Sequence, residues 1–241
     1  MHGPPPRATH RAIGVGNLDD DALHARLAAE RHVGDPLADA AVVALRAAGG
    51  RRGWRLLDDA LIAGAAGDPP PAALPEAVRD LLEAAATIPP WLDLPLVRAG
   101  ASAHWRVGFL AQTMALTYGS LAFGYQYADL ARPLVMTGRL ERMVPRRISE
   151  TARWALAATT PGAMAPWRDG WAATVRVRIV HALVRAHLAR RADWQAEWGV
   201  PISSAASLAT GIGGFLVVPH DAMADLGVRA TDAEREARTA L

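Results

Sequence analysis

The stretch Thr174-Val-Arg-Val-Arg-Ile-Val-His181-Ala-Leu-Val-Arg185-Ala-His187-Leu-Ala-Arg190 decides how the chain is read. It holds no glycine or proline, and its apolar residues recur at the period of a helix rather than the alternation of a strand, so it predicts one long helix. Arg178 stands three residues before His181 and Arg185 four after it, which puts two guanidiniums and one imidazole on one stripe. Such a stripe has two readings. In one, His181 is a packed histidine satisfied by its neighbours while the arginines reach solvent. In the other, an inward imidazole nitrogen ligates the iron of a haem, and arginines a turn above and below pair with its propionates.

Outward from that helix, the rest of the chain also breaks into helical pieces. Asn17 caps a helix with aspartates in its first turn, over 18–31, and Gly34-Asp35-Pro36 opens the next, to Ala48. Apolar periodicity then predicts helices over 53–66 and 75–86, ended by the prolines at 69–71 and by Ile88-Pro89-Pro90. A short helix to Ala99 precedes a turn at Gly100. The weakly polar run Val107–Phe123 reads as a helix buried on most sides. Tyr125–Ala131 is short, Pro133 restarts a helix through Arg139, and Pro145 starts the one carrying Arg147 and Thr151. Further helices are expected at 203–217, 219–226 and 232–241. No strand-length alternation and no internal repeat stand out. The expectation is an all-α, single-domain helical bundle over 17–241, preceded by a flexible Pro/Gly-rich tail at 1–16.

Composition narrows the chemistry. The 241 residues suffice for one full core, and 51% of them are hydrophobic, as in a globular chain. The absence of cysteine rules out disulfides, zinc-thiolate sites, iron–sulfur clusters and thiolate-ligated haem. All 26 basic residues are arginine, so the formal charge of +2 describes the molecule near neutrality better than the high isoelectric point does. The densest basic run, Arg139–Arg153, is diluted by Glu141 and Glu150, and no nucleic-acid partner is expected. Met1–Arg11 lacks the apolar core of a secretion signal and no transmembrane segment is read, so a cytoplasmic location is expected.

No phosphate-binding glycine loop, dinucleotide fingerprint, Gly-x-Ser-x-Gly elbow or His-Glu-x-x-His pair is present. His181 and His187 are six apart, on different helix faces, so a shared metal is not expected and His187 reads as partly solvated. Arg147 and Thr151, four apart with Glu150 beside them, are stacked on one face. A guanidinium and a hydroxyl so placed either line the oxygen side of a haem, donating to charge that develops there, or form a solvated basic face.

The strings Thr137-Gly-Arg-Leu140, Pro145-Arg-Arg-Ile-Ser-Glu-Thr151, Val177-Arg-Ile-Val-His-Ala-Leu-Val-Arg185 and Trp198-Gly-Val-Pro-Ile202 resemble the latex-clearing-protein (rubber oxygenase) and MpaB oxygenase family. Gly34-Asp-Pro36, Ile88-Pro-Pro-Trp-Leu-Asp93 and Gly100 resemble it in the same order, so the likeness runs from about residue 33 to Val228. It implies haem b in a globin-like helical core, with His181 as the proximal iron ligand, Arg147 and Thr151 on the distal, oxygen-binding side, and Arg178 and Arg185 at the propionates. Two departures stand out. The family's rubber-cleaving members carry a distal lysine where this chain has Glu150, and an upstream glutamate where it has Ala131 and Arg132. Glu150 is a carboxylate that can serve as acid or base in the lysine's place.

The resemblance therefore implies an oxidoreductase, a haem b-dependent oxygenase. It would act on a small apolar or isoprenoid-like substrate with dioxygen and an unidentified reductant. Trp154, Trp167 and Trp171 are candidate pocket walls. The alternatives are a non-catalytic haem-binding sensor or carrier, and a helical protein that binds no haem.

Overall fold

A computed structural model of the chain describes residues 20–138 and 144–241, and every regular element among them is helical. The expected tail at 1–16 and the Arg139-Leu140 half of one family-like string lie outside the described residues. No helix among the described residues is long and apolar enough to cross a membrane.

The first four helices fall close to where periodicity and punctuation put them: α1 (Asp20–Glu30), α2 (Pro36–Ala47), α3 (Arg51–Ala66) and α4 (Glu76–Ala86). Asp35 caps α2 by accepting from the Ala38 amide at 3.1 Å, with Pro36 at the first helical position, where its missing N–H costs nothing. The apolar faces of α2, α3 and α4 meet in a core of Val42, Leu45, Leu57, Val78, Leu81 and their neighbours. Into that core α10 (Asp169–Leu188) sends Trp171, Val175, Ile179 and Ala182, one helical stripe. The helix predicted at 174–190 thus starts five residues earlier and ends two earlier, and only one of its faces belongs to the core.

Three expectations fail for physical reasons. α5 (Leu94–Arg106) runs straight through Gly100 instead of turning there. That glycine is where the backbone of α13 (Asp232–Ala240) crosses, and a Cβ on it would collide with the carbonyl of Ala237. The run Val107–Phe123 becomes α6 (Phe109–Met114), a π segment Ala115–Leu121 and the short α7 (Ala122–Gly124), and it is not buried on most sides. Leu110 is 72% and Tyr118 75% exposed, while the polar Gln112 is the buried residue of α6. Apolar composition without a period could not say which side faced inward. Pro133, expected to start a helix, sits buried inside α8 (Ala128–Met136).

The remaining elements are α9 (Val144–Thr159), a 3-10 turn Ala196–Trp198, α11 (Ser204–Leu208), a second π segment Ala209–Val217 and α12 (Val218–Asp225). The two π segments pack on one another, and α12 lies against the first.

Candidate functional site

α9 and α10 form an antiparallel helical hairpin that sets the register of the site. At its closed end the N-terminus of α10 nearly touches α9: a Cβ on Gly170 would meet the carbonyl of Ala157. One turn further on, the indole Nε1–H of Trp154 donates to Thr174 Oγ1 at 3.0 Å, and that hydroxyl donates in turn to the Gly170 carbonyl at 2.9 Å. Trp154 also packs edge-on against Phe215 of the second π segment, with ring centroids 5.1 Å apart.

From this fixed pair the positions of the predicted residues follow. Arg147 lies seven residues before Trp154 on the same stripe of α9, and His181 seven residues after Thr174 on the same stripe of α10. Seven residues are two turns, about 10.5 Å along each helix, and the helices run in opposite directions. Arg147 and His181 are therefore level across the hairpin, with Thr151 one turn nearer the closed end. Here Arg147 is half-buried, and Thr151 and His181 are exposed. Thr151 and His181 therefore keep a solvent-facing side within the hairpin. Among the described residues Arg147 makes no hydrogen bond or ion pair, so its donors are available to a ligand.

His181 combines two properties that are usually opposed. Its surface is open to solvent, yet its pKa is pushed below the ordinary histidine value, first by desolvation and then by the Arg185 charge, with Asp35 pulling the other way. Both follow where part of the ring lies against neighbouring protein while another part faces water. The exposure excludes a histidine wedged among aliphatic neighbours, and the depressed pKa keeps the imidazole neutral near pH 7, the form that can ligate a metal.

The other expected residues go elsewhere. Arg178 donates to Asp35 through Nε at 2.9 Å and Nη2 at 3.0 Å. Arg185 donates to Asp39 through Nη2 at 2.7 Å and Nε at 2.9 Å, and through Nη1 to the Ile202 carbonyl at 3.0 Å. Both forks hold carboxylates, as the propionate assignment required, but the carboxylates belong to the first turn of α2. Glu150 is exposed and accepts from Arg146 Nε at 2.7 Å, along its own helix. Arg132 stacks 3.9 Å from the Trp198 ring centroid. His187 is exposed, as expected; with Val180, Val184 and Met136 it lines a cavity of about 420 Å³ on the neighbouring flank of α10. Trp171 is core, and Trp167 packs over Gly64 and against Trp171 at 4.7 Å, so of the three candidate tryptophans only Trp154 belongs to the hairpin's inner stripe.

Asp35 and Asp39 are the residues that sequence reasoning missed. Asp35 looked complete as a helix cap, and no spacing in one helix announces a partner more than a hundred residues away. The signal was Gly34: a Cβ there would lie 3.2 Å from both Arg185 Nε and Asp39 Oδ2. The family-like scraps Gly34-Asp-Pro36 and Pro201-Ile202 thus converge on the arginines of the His181 helix.

No cluster of three metal-ligating side chains occurs among the described residues. One imidazole cannot hold a bare ion well, but it is sufficient where a tetrapyrrole supplies four nitrogens. The propionate partners expected from sequence are engaged by Asp35 and Asp39, and neither of the two cavities described on the chain is lined by His181, Arg147 or Thr151. The chain defines an all-α protein with a histidine-centred helical hairpin. No family model matches it, and comparisons with curated proteins and with solved structures found no match.

Proposed function

We propose that the chain is a haem b-dependent oxygenase of the latex-clearing-protein/MpaB type, acting on a small apolar or isoprenoid-like substrate, with the hairpin as part of a globin-like pocket. What supports the reading is Arg147 level with an exposed His181 across the hairpin, and Thr151 one turn from it. Haem iron supplies the oxygen chemistry when bound. His181 would hold it through one ring nitrogen. The Arg147 guanidinium and the Thr151 hydroxyl are donors on the far side, positioned to hydrogen-bond an oxygen substrate and to stabilise negative charge on it. Trp154 and Phe215 close the inner end and exclude water there. Glu150, beside Thr151 and paired with Arg146 along its own helix, is the carboxylate that would serve as acid or base.

A specific observation favours a second reading, a haem-binding sensor or carrier without turnover. The two positions at which rubber-cleaving relatives place a lysine and a glutamate are here a carboxylate held by Arg146 and an arginine stacked on Trp198.

Absorption spectra of the protein as purified, after reduction and under carbon monoxide test the first step. A Soret band that is lost in His181→Ala supports both readings, and a colourless protein that takes up no added haem removes both. Oxygen uptake that depends on an apolar alkene and falls in Arg147→Ala selects the oxygenase.

A further inference from the structure

The geometry points to a separate binding site on the neighbouring flank of α10: the cavity between α10 and the end of α8 takes a carboxylate with a medium-length apolar tail. Nothing in this inference depends on a haem or on His181. The cavity measures about 420 Å³, inside the range of about 300 to 1,000 Å³ usual for small-molecule sites. Val180, Val184 and His187 stand three or four residues apart on one stripe of α10. Amide bonds from Ala189, Arg190 and Arg191 back to the carbonyls of Arg185, His187 and Leu188 carry the helical path on to Arg191. Val180 to His187 is seven residues, about 10.5 Å along the helix, which is the length of an extended medium-length alkyl chain.

The lining changes character along that length. Val180, Leu183 and Val184 are apolar, and Met136 at the end of α8 adds a further apolar wall. The side chains able to donate to a ligand, His187 and Arg191, lie together at the other end of the stripe. His187 is exposed and has no partner among the described residues, so its ring N–H is available. Arg191 gives Nε and Nη2 to Asp193 at 2.8 and 2.6 Å and keeps Nη1 for another acceptor. Thr137 Oγ1 already donates to the Pro133 and Leu134 carbonyls at 2.8 and 3.2 Å, so it has no proton left to offer. No carboxylate lines the cavity among the described residues. An apolar trough with a guanidinium and an imidazole at one end selects a tail with an accepting, negatively charged head. Asp193 competes with that head for the same guanidinium, so the site carries its own built-in rival.

Titration calorimetry of the full chain tests the site, with decanoate below its micelle-forming concentration and with decanol as the same tail without the charge. Wild type should bind decanoate saturably, and decanol about tenfold more weakly, the value of one charge-assisted hydrogen bond. Arg191→Gln removes the cation and should weaken decanoate by about the same factor. Asp193→Asn removes the rival and should tighten decanoate severalfold, and neither variant should change decanol. The Arg191 and Asp193 side chains are 38% and 58% exposed, so the fold should tolerate both substitutions. Val180→Trp, at a position that also reaches solvent, fills the apolar end and should abolish binding of both ligands. A wild type that binds no decanoate overturns the inference, and so does decanol bound as tightly as decanoate. A shift of the same sign in Arg191→Gln and Asp193→Asn, or undiminished binding in Val180→Trp, overturns it as well, because the ligand would then lie on some other apolar surface.

Discussion

Trp154 on α9 and Thr174 on α10 are joined by a 3.0 Å hydrogen bond, and this contact fixes which residues of the hairpin face each other. The indole is held from two sides, by the threonine and by the edge of Phe215. Trp154→Phe removes the donor alone and should cost about 1 kcal/mol, the net value of one neutral hydrogen bond. A double-mutant cycle of Trp154→Ala with Phe215→Ala should return a coupling of about 1 kcal/mol, as for other edge-on aromatic pairs. Urea unfolding checks both. Zero coupling would mean that the second π segment does not pack on the hairpin in solution.

Much of this arrangement was legible beforehand because it is local. Helix starts at Pro36 and Pro145, and the pairing of Arg147 with Thr151 on one face, depend on residues within a few positions of each other. Long-range partners were not. Nothing within the Val107–Phe123 run says that Leu110 points outward and Gln112 inward, because no period marks a face. Likewise, sequence showed that Arg178 and Arg185 share a stripe with His181 but could not say which carboxylates they would meet.

The ion pairs of α10 differ in depth, and mutation should reveal it. The Arg185 side chain is 7% exposed, whereas Arg176 and its partner Asp58 are 43% and 51% exposed. Asp39→Ala leaves a buried guanidinium without its counter-charge and should destabilise the protein by about 2 to 3 kcal/mol, somewhat less than for a fully buried pair because Asp39 itself reaches solvent. Asp58→Ala should cost less than about 1 kcal/mol. Thermal melts of both variants at equal ionic strength provide the comparison, and equal losses would contradict the burial difference.

His181 offers a contrast between fold and function. Its side chain is exposed on a helix, and alanine is the best helix former, so His181→Ala in the haem-free protein should change stability by no more than about 0.5 kcal/mol. The same substitution should abolish the Soret band. A histidine serving as packing would show the reverse, a large loss of stability with no change in colour. Chemical denaturation of the haem-free protein and the absorption spectrum of the loaded one answer the two halves separately.

A second histidine should make the fold sensitive to acid. His104 on α5 is packed edge-on against Trp105 at 5.3 Å between ring centroids. Burial, then the Arg238 charge, then His220 push its pKa down to about 4. Arg238 is anchored there by Nη2 donating to the Ala103 carbonyl at 2.6 Å, so it cannot swing away when His104 takes a proton. In the unfolded chain the same imidazole titrates near its ordinary value of about 6.5, so between roughly pH 6.5 and pH 4 the unfolded state binds more protons than the folded one. Stability is therefore full above about pH 6.5 and falls as the pH drops toward 4, by about 3 kcal/mol from this group alone. His220 is depressed by the same burial and the same arginine and adds to the loss in the same direction. Urea midpoints measured from pH 7.5 down to 4.5 should fall steeply in wild type and more gently in His104→Gln, whose amide takes up no proton in this range. Carboxylates titrate in both proteins below about pH 5, and the difference between the two curves removes them. Parallel curves would show that His104 is solvated in the folded protein and that Arg238 does not stand against it.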